Sequence, residues 1–264
     1  MRFQQFLRNA GTSALALAAL LVAWEIAARV TRLNPSIFPP PSAIGRTLLR
    51  LAEPSGGRSI LGLDIVSSLL RLGLGLAIGA PVGLALGLAA GINRYARSIV
   101  HPLVNVLIPV PPYAWVPLLL VWLGPGNATI TAATALSAAL PLAYTTMAGV
   151  RGIDRLQVWA MESLGGDKRD VIRHVILPGA LASILAGLRL SLGQSWRTLI
   201  GAEFLAARDS GLGFLIYHAQ QFLAVDTMFA GLVTLGVLGF FLIYWLVTVI
   251  EDRTVVRWGV MTRR

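Results

Sequence analysis

Residues 62–91 read GLDIVSSLLRLGLGLAIGAPVGLALGLAAG, a run that places the chain among helical membrane proteins. It stays apolar for longer than the ~20 residues a helix needs to cross a bilayer. Within it Gly75, Gly79, Gly83, Gly87 and Gly91 recur at every fourth position. On a helix that spacing lines one face with bare backbone. In lipid, where apolar surface alone does not draw helices together, such a face lets a second helix approach closely. Pro81 lies inside the stretch and predicts a kink. The pattern specifies tight packing between membrane helices and carries no chemistry of its own.

Composition extends this reading to the whole chain. Of 264 residues, 56% are hydrophobic and 13% charged, and the mean hydropathy is +0.72, beyond the range of soluble domains. The absence of cysteine excludes disulfides, thiolate metal sites and a Cys nucleophile. His101, His174 and His218 lack metal-ligand spacing, so no metal site is expected. A net charge of +10 would suggest nucleic acid in a soluble protein. In a membrane chain it follows from Arg-rich loops beside an anionic leaflet. There is no GxxxxGK[ST] phosphate loop and no grouped Ser/His/Asp set or carboxylate pair, so the chain does not read as an enzyme.

The expected architecture is all-α with about six transmembrane helices. Residues 1–9 form a basic N-terminus with Arg2 and Arg8, followed by a first span at 10–30, expected to be retained rather than cleaved. Residues 31–61 form a Pro-rich linker holding a short amphipathic helix at 41–51 with Ser42 at its cap. After the second span, a basic turn over 91–102 with Arg94 and Arg97 leads to a third span at 101–124. Pro109, Pro111, Pro112 and Pro117 break that span, and irregular backbone at membrane depth requires surrounding protein or a cavity. Asn105, Pro109, Pro112, Tyr113 and Trp115 are therefore gate candidates; a kinked helix in a dimer core explains them equally well. A GPGN turn opens the fourth span, 128–150, and the fifth and sixth follow at 179–206 and 228–251. The loop 207–227 is long enough for a helix, and its GLGF at 211–214 suits an external contact or a plain turn. Residues 252–264 form a basic tail.

The long polar interval is 151–178, RGIDRLQVWAMESLGGDKRDVIRHVILP, which reads as two short helices. Asp154 with Gln157 has the form of a capping box, and Gly165 ends the first helix in a left-handed turn. Asp167 with Asp170 repeats the start signal, and Pro178 is expected to stop the second helix. Held between spans, such a unit is a docking element. Leu156, Trp159, Ala160, Glu162, Leu164 and Gly165, with Asp154 at the cap, form its docking set, since an amphipathic helix seats an apolar stripe in a groove. With the N-terminus inside, 13 of the 22 Lys and Arg fall in cytoplasmic segments, which predicts N- and C-termini inside and a cytosolic partner for 151–178.

In the fifth span Arg189, Arg197 and Glu203 are costly in lipid and must face protein or water. At ~100° per residue Arg189, Gly193, Trp196 and Glu203 share one face, with Arg197 adjoining. Two readings stand. The face is a cationic stripe along a pathway for an anion, or Glu203 pairs with Arg189, Arg197 or Arg71 and holds helices in register.

Gly165, Val175, Leu177 and Pro178 resemble the cytoplasmic signature loop of ABC-importer permeases, in which a Gly is followed at this spacing by an aliphatic residue and Leu-Pro. Where that family has Glu-Ala-Ala, this chain has Trp159, Ala160 and Met161, with Glu162 three residues later, so apolar seating is expected to outweigh an ion pair. PPPSAIGRTLL, SSLLRLGLGLAIGAPVGLALG, VPPYAWVPLLLVWLG, GLRLSLGQSW, GAEFL and GLGFLIYHA look like the branch that imports sulfonates, taurine, nitrate or bicarbonate, over about residues 39–258. The resemblance implies a type I ABC-importer permease fold in a bacterial inner membrane. It implies a second permease copy, two cytosolic ATPase subunits and an extracytoplasmic binding protein as partners. No cofactor is then bound by this chain; ATP and Mg belong to the ATPase, which a coupling helix at 151–178 engages. A secondary transporter or channel is the alternative function, and a neutral vitamin or pyrimidine precursor the alternative cargo.

Overall fold

The computed structural model describes residues 2–30, 37–54 and 59–254, with side chains described over 15–30, 37–54 and 59–243. Residues 31–36 and 55–58 of the linker and 255–264 of the tail therefore lie outside the described residues, as do the side chains of the segment 1–9. Every regular element among the described residues is helical.

Helix α1, Arg2–Val30, is followed by α2, Pro41–Ala52. Ser42 does not cap α2: Pro40 holds the cap position and Pro41 opens the first turn, where a proline's missing N–H costs nothing. Ser42 instead donates its N–H and hydroxyl to Glu25 of α1, at 3.0 and 2.8 Å. A carboxylate from a neighbouring helix thus serves the start of α2.

Helix α3, Ile60–Ile92, begins at a Ser59 cap that accepts the Gly62 N–H at 2.7 Å and continues as one helix through Pro81. The expected basic turn over 91–102 is reduced to Asn93. This residue ends α3 and caps α4, Arg94–Leu107, by accepting the Tyr95 N–H at 2.8 Å. A side-chain cap acts within two residues, so no longer turn is needed. The third span is broken at its prolines. A 3-10 turn at Pro112–Trp115 separates α4 from α5, Val116–Leu123, and the two halves are bent by 94°.

Gly124 and Gly126, both at positive φ, lead into α6, Asn127–Arg151. Then come α7, Arg155–Ser163, and the short α8, Lys168–Asp170. Here one expectation fails: Pro178 stops nothing. A π turn over Val171–Ile176 carries α8 directly into α9, Leu177–Ala206, with Pro178 in its first turn. The wider turn accommodates the residue that lacks an N–H, and the helix runs on. After α10, Leu212–Gln221, the chain finishes its described part in α11, Val225–Thr254.

Among the described residues four helices are long and apolar enough to cross a membrane: Ile60–Ile92, Asn127–Arg151, Lys168–Ala206 and Val225–Ile243. The bent α4–α5 pair makes five if it counts as one. The remaining expected span, 10–30, falls within α1, whose side chains before Leu15 lie outside the described residues.

The centre of the bundle is α6, packed between α3 and α9. The glycine face of α3 meets it along its whole length. A Cβ at Gly75 would lie 2.5 Å from the Thr134 Cγ2, at Gly83 2.5 Å from the Ala139 carbonyl oxygen, at Gly87 2.6 Å from the Thr146 Cβ, and at Gly91 2.6 Å from the Val150 Cβ. At Gly79 it would lie 2.8 Å from the Ala138 Cβ. On the other side Ser191 of α9 donates to the Ala138 carbonyl at 2.7 Å, and Ser137 of α6 to the Ser195 hydroxyl at 3.2 Å. Helices α3 and α9 are each about 45–50 Å long at 1.5 Å per residue. A polar region lies at each of their ends.

Candidate functional site

At one end stands α7. The Asp154 carboxylate accepts the Leu156 N–H at 2.9 Å, while Gln157 contributes only its backbone N–H, to the Asp154 carbonyl. The expected box therefore reduces to a simple cap. The full reciprocal box belongs to α8: Asp167 accepts from the Arg169 and Asp170 N–H groups at 2.7 and 2.8 Å, and Asp170 accepts from the Asp167 N–H at 3.0 Å. Gly165, at φ 84°, ends α7 as expected, with the Gly166 N–H returning to the Met161 carbonyl at 3.1 Å.

The inner side of α7, through Val158 and Met161, packs on a cluster formed by Val150, Val171, Ile176 and Ala180. Its outer side holds Leu156, Trp159 and Leu164 at 66%, 58% and 84% exposure, with Ala160 and Glu162 also exposed. Two capped turns thus clamp a short helix that presents Trp and Leu to its surroundings. Such a rigid apolar stripe on a polar end of the molecule is suited to a groove on another protein.

At the other end a buried polar network joins α3, α6, α9 and α10. The Glu203 carboxylate accepts from Arg71 at 2.8 Å, from the Ser68 hydroxyl at 2.8 Å and from the Gly213 N–H at 2.9 Å. Arg71 also donates to Asn127 Oδ1 at 2.7 Å and to the Ser210 carbonyl at 2.6 Å. Asp64 accepts the Gly211 N–H at 2.8 Å, and the Ser68 hydroxyl accepts the Leu212 N–H at 2.9 Å. Three successive N–H groups at the start of α10, otherwise orphans, are satisfied by side chains of α3 and α9. Gly211 has φ 131°, and a Cβ there would sit 2.6 Å from the Glu203 carboxyl. Residues 211–213 are buried, so this part of GLGF is an internal seat for α10 rather than a plain turn or an external contact.

This network settles the partner of Glu203: it is Arg71 of α3. Trp196 is also buried, against Gly239 of α11, where a Cβ would lie 2.5 Å from its indole nitrogen. Arg189 and Arg197 are exposed. The expected face of Arg189, Trp196, Arg197 and Glu203 is therefore not one stripe in the single chain, because α10 and α11 cover the later half of α9. Arg197 donates to Gln194 at 3.0 Å. Both line a cavity of about 210 Å³ with Pro112, Ser137, Pro141 and Leu190.

The broken third span lies against α9 and α6. Pro112 is buried in it, and Tyr113 packs over Gly201, whose added Cβ would be 3.2 Å from the tyrosine Cβ. The buried Trp115 indole N–H has no partner among the described residues. Asn105 and Pro109 are exposed, with the Asn105 amide 3.2 Å from the His101 ring. Among the described residues no group of His, Cys, Asp and Glu has the arrangement of a metal site. Sequence reasoning missed Asp64, Ser68, Asn127 and Ser210. The signal was present for the first two: with Arg71 they fall at steps of four and three along one helix face.

Residues 79–256 match the family model described as a binding-protein-dependent transport system inner membrane component. The taurine transport system permease protein TauC of Escherichia coli is 36% identical over 86% of this chain and 82% of its own length. A putative aliphatic sulfonates transport permease protein, SsuC of Escherichia coli, is 35% identical over 83% and 82%. The nitrate import permease protein NrtB of Synechocystis is 29% identical over 87% and 84%. In fold, the chain resembles a subunit of the MetNI methionine ABC transporter in an inward-facing form, with a TM-score of 0.55 at 21% identity, covering 76% of this chain and 93% of that one.

Proposed function

Because this chain belongs to the binding-protein-dependent transport system inner membrane component family, the permeases of ABC importers, we propose that it forms the translocation pathway of an ATP-driven importer for a small anionic solute. The exposed stripe of Leu156, Trp159 and Leu164 on α7 carries the reading. It acts as the coupling helix, seated in a groove of a cytosolic ATPase that holds the ATP and Mg. Apolar contact dominates this joint, since Trp159 stands where the signature has an acid. The working unit is two copies of this chain, two ATPases and an extracytoplasmic binding protein. It spans a bacterial inner membrane with α7 and both termini in the cytoplasm. Closure of the ATPases on nucleotide drives α7, and through the continuous α8–α9 helix it moves the spans between two accessible states.

The anionic cargo is supported by the taurine, sulfonate and nitrate names of the relatives. It is further supported by Arg197 in the cavity beside the broken span. A secondary transporter or channel would leave the exposed face of α7 without a role. The test is co-purification with an ABC ATPase followed by coupled turnover in liposomes. Trp159→Ala is expected to weaken the complex at least about tenfold, the scale of a buried aromatic anchor. Gly165→Pro, incompatible with φ 84°, is expected to abolish solute-stimulated ATP hydrolysis while insertion is retained. Normal coupled turnover in both variants would refute the assignment.

A further inference from the structure

A second feature at the α7 end lies beside the docking stripe. A cavity of about 720 Å³ opens between α7 and the ends of α3, α4 and α6, and Arg94, Arg97, Arg151, Arg155 and Lys168 line it against the single carboxylate of Glu162. Its floor is apolar, with Val150, Val171 and Ile176. Arg97 is committed in part, donating to the Ala90 and Gly91 carbonyls at 2.9 and 2.6 Å and so neutralising the C-terminus of α3. Arg94 donates to the Tyr95 hydroxyl at 2.6 Å. The side chains of Arg151, Arg155 and Lys168 make no hydrogen bond or ion pair within the described residues. Five cations facing one acid around a common space repel one another unless an anion joins them.

We propose that this cavity binds the phosphate headgroup of an anionic phospholipid. Its position favours a lipid over a soluble anion. The walls include Gly91, Val150 and Ile176, the points where α3, α6 and α9 leave their apolar spans, so the cavity lies at headgroup depth. Ile92, an exposed residue of its wall, offers acyl chains an apolar surface to follow. The site adjoins the docking stripe on α7 and faces the ends of the spans. At ~100° per residue Arg155, Val158 and Glu162 share one side of α7, Trp159 falls next to Arg155 at the edge of the stripe, and Leu156, Ala160 and Leu164 lie beyond it. A bound headgroup would fasten α7 to the ends of the spans it sits beneath, and basic pockets of this kind between spans are suited to anionic headgroups.

The test uses the full-length chain with its co-purifying subunits, delipidated in mild detergent and titrated with phosphatidylglycerol or phosphatidylcholine of matched chains, read by native mass spectrometry. The wild type is expected to hold phosphatidylglycerol at least about tenfold more tightly. The variant Arg151→Gln with Arg155→Gln and Lys168→Gln is expected to lose about a hundredfold, while Arg151→Lys with Arg155→Lys retains binding. Glu162→Gln should strengthen binding about fivefold, which keeps the proposal testable if the triple variant does not fold. Equal affinity for the two lipids, or phosphatidylglycerol affinity unchanged by the Gln substitutions, would overturn the proposal. Displacement of the lipid by millimolar inorganic phosphate would assign the site to a soluble anion instead. Loss of lipid on ATPase binding would assign it to an acidic surface of that partner.

Discussion

Removal of the Glu203 carboxylate tests whether the polar network is what seats α10. In Glu203→Ala the Arg71 guanidinium stays buried and keeps Asn127 and the Ser210 carbonyl. Its nearest remaining carboxylate is the exposed Asp209, at 3.9 Å. The Ser68 hydroxyl and the Gly213 N–H lose their acceptor as well. Breaking a buried pair by deleting one partner costs about 3–5 kcal/mol, chiefly from the charge left behind. At about 2–4 °C per kcal/mol for a chain of this size, the midpoint should fall by about 10 °C. The seven tryptophans allow the melt to be followed by intrinsic fluorescence in detergent. Arg71→Met combined with Glu203→Met removes both charges, and about half the loss should return; the rest persists because Gly213 and Ser68 stay unpaired. A midpoint for Glu203→Ala within about 1 °C of the wild type, or a double variant as unstable as the two single losses summed, would refute the pair's role.

Three further outcomes follow from the packing. Gly73 has nothing within 4 Å of an added Cβ, whereas at Gly83 the Ala139 carbonyl stands in the way; Gly73→Ala should stabilise by about 0.5–1 kcal/mol and Gly83→Ala should destabilise by about 1–3 kcal/mol, measured by the same melts. Gly211→Ala forces a side chain onto Glu203 at a φ of 131°, so increased hydrogen exchange confined to α10 is expected, and unchanged protection there would contradict the seat. Arg197→Glu reverses the charge in the cavity beside Pro112; uptake of an anionic solute should fall at least about tenfold without loss of expression, and unchanged uptake would remove Arg197 from the pathway.

Membership of the membrane class, the glycine face and the α7 unit were legible in the sequence because each is a local or periodic property. Helix period places Gly75 to Gly91 on one line whatever packs against it, and the caps of α7 and α8 act within three residues. Proline density likewise marked the break in the third span. Which helix the glycines meet was not legible, nor which of three arginines pairs with Glu203. Those outcomes bring together residues 132 positions apart for Arg71 and Glu203, and composition carries no information on such pairings. Local rules also misled where a longer element overrode them. Pro178 reads as a stop, yet the π turn before it carries the chain through; Trp196 and Glu203 share a face with Arg189, yet α10 and α11 cover only part of that face. Composition and glycine spacing alone specified that helices would cross a membrane and how closely one pair would approach. Which charges are buried together, and which lack a partner among the described residues at the α7 end, followed from the packing of neighbouring helices, because those neighbours and not helix period set the desolvation of a side chain.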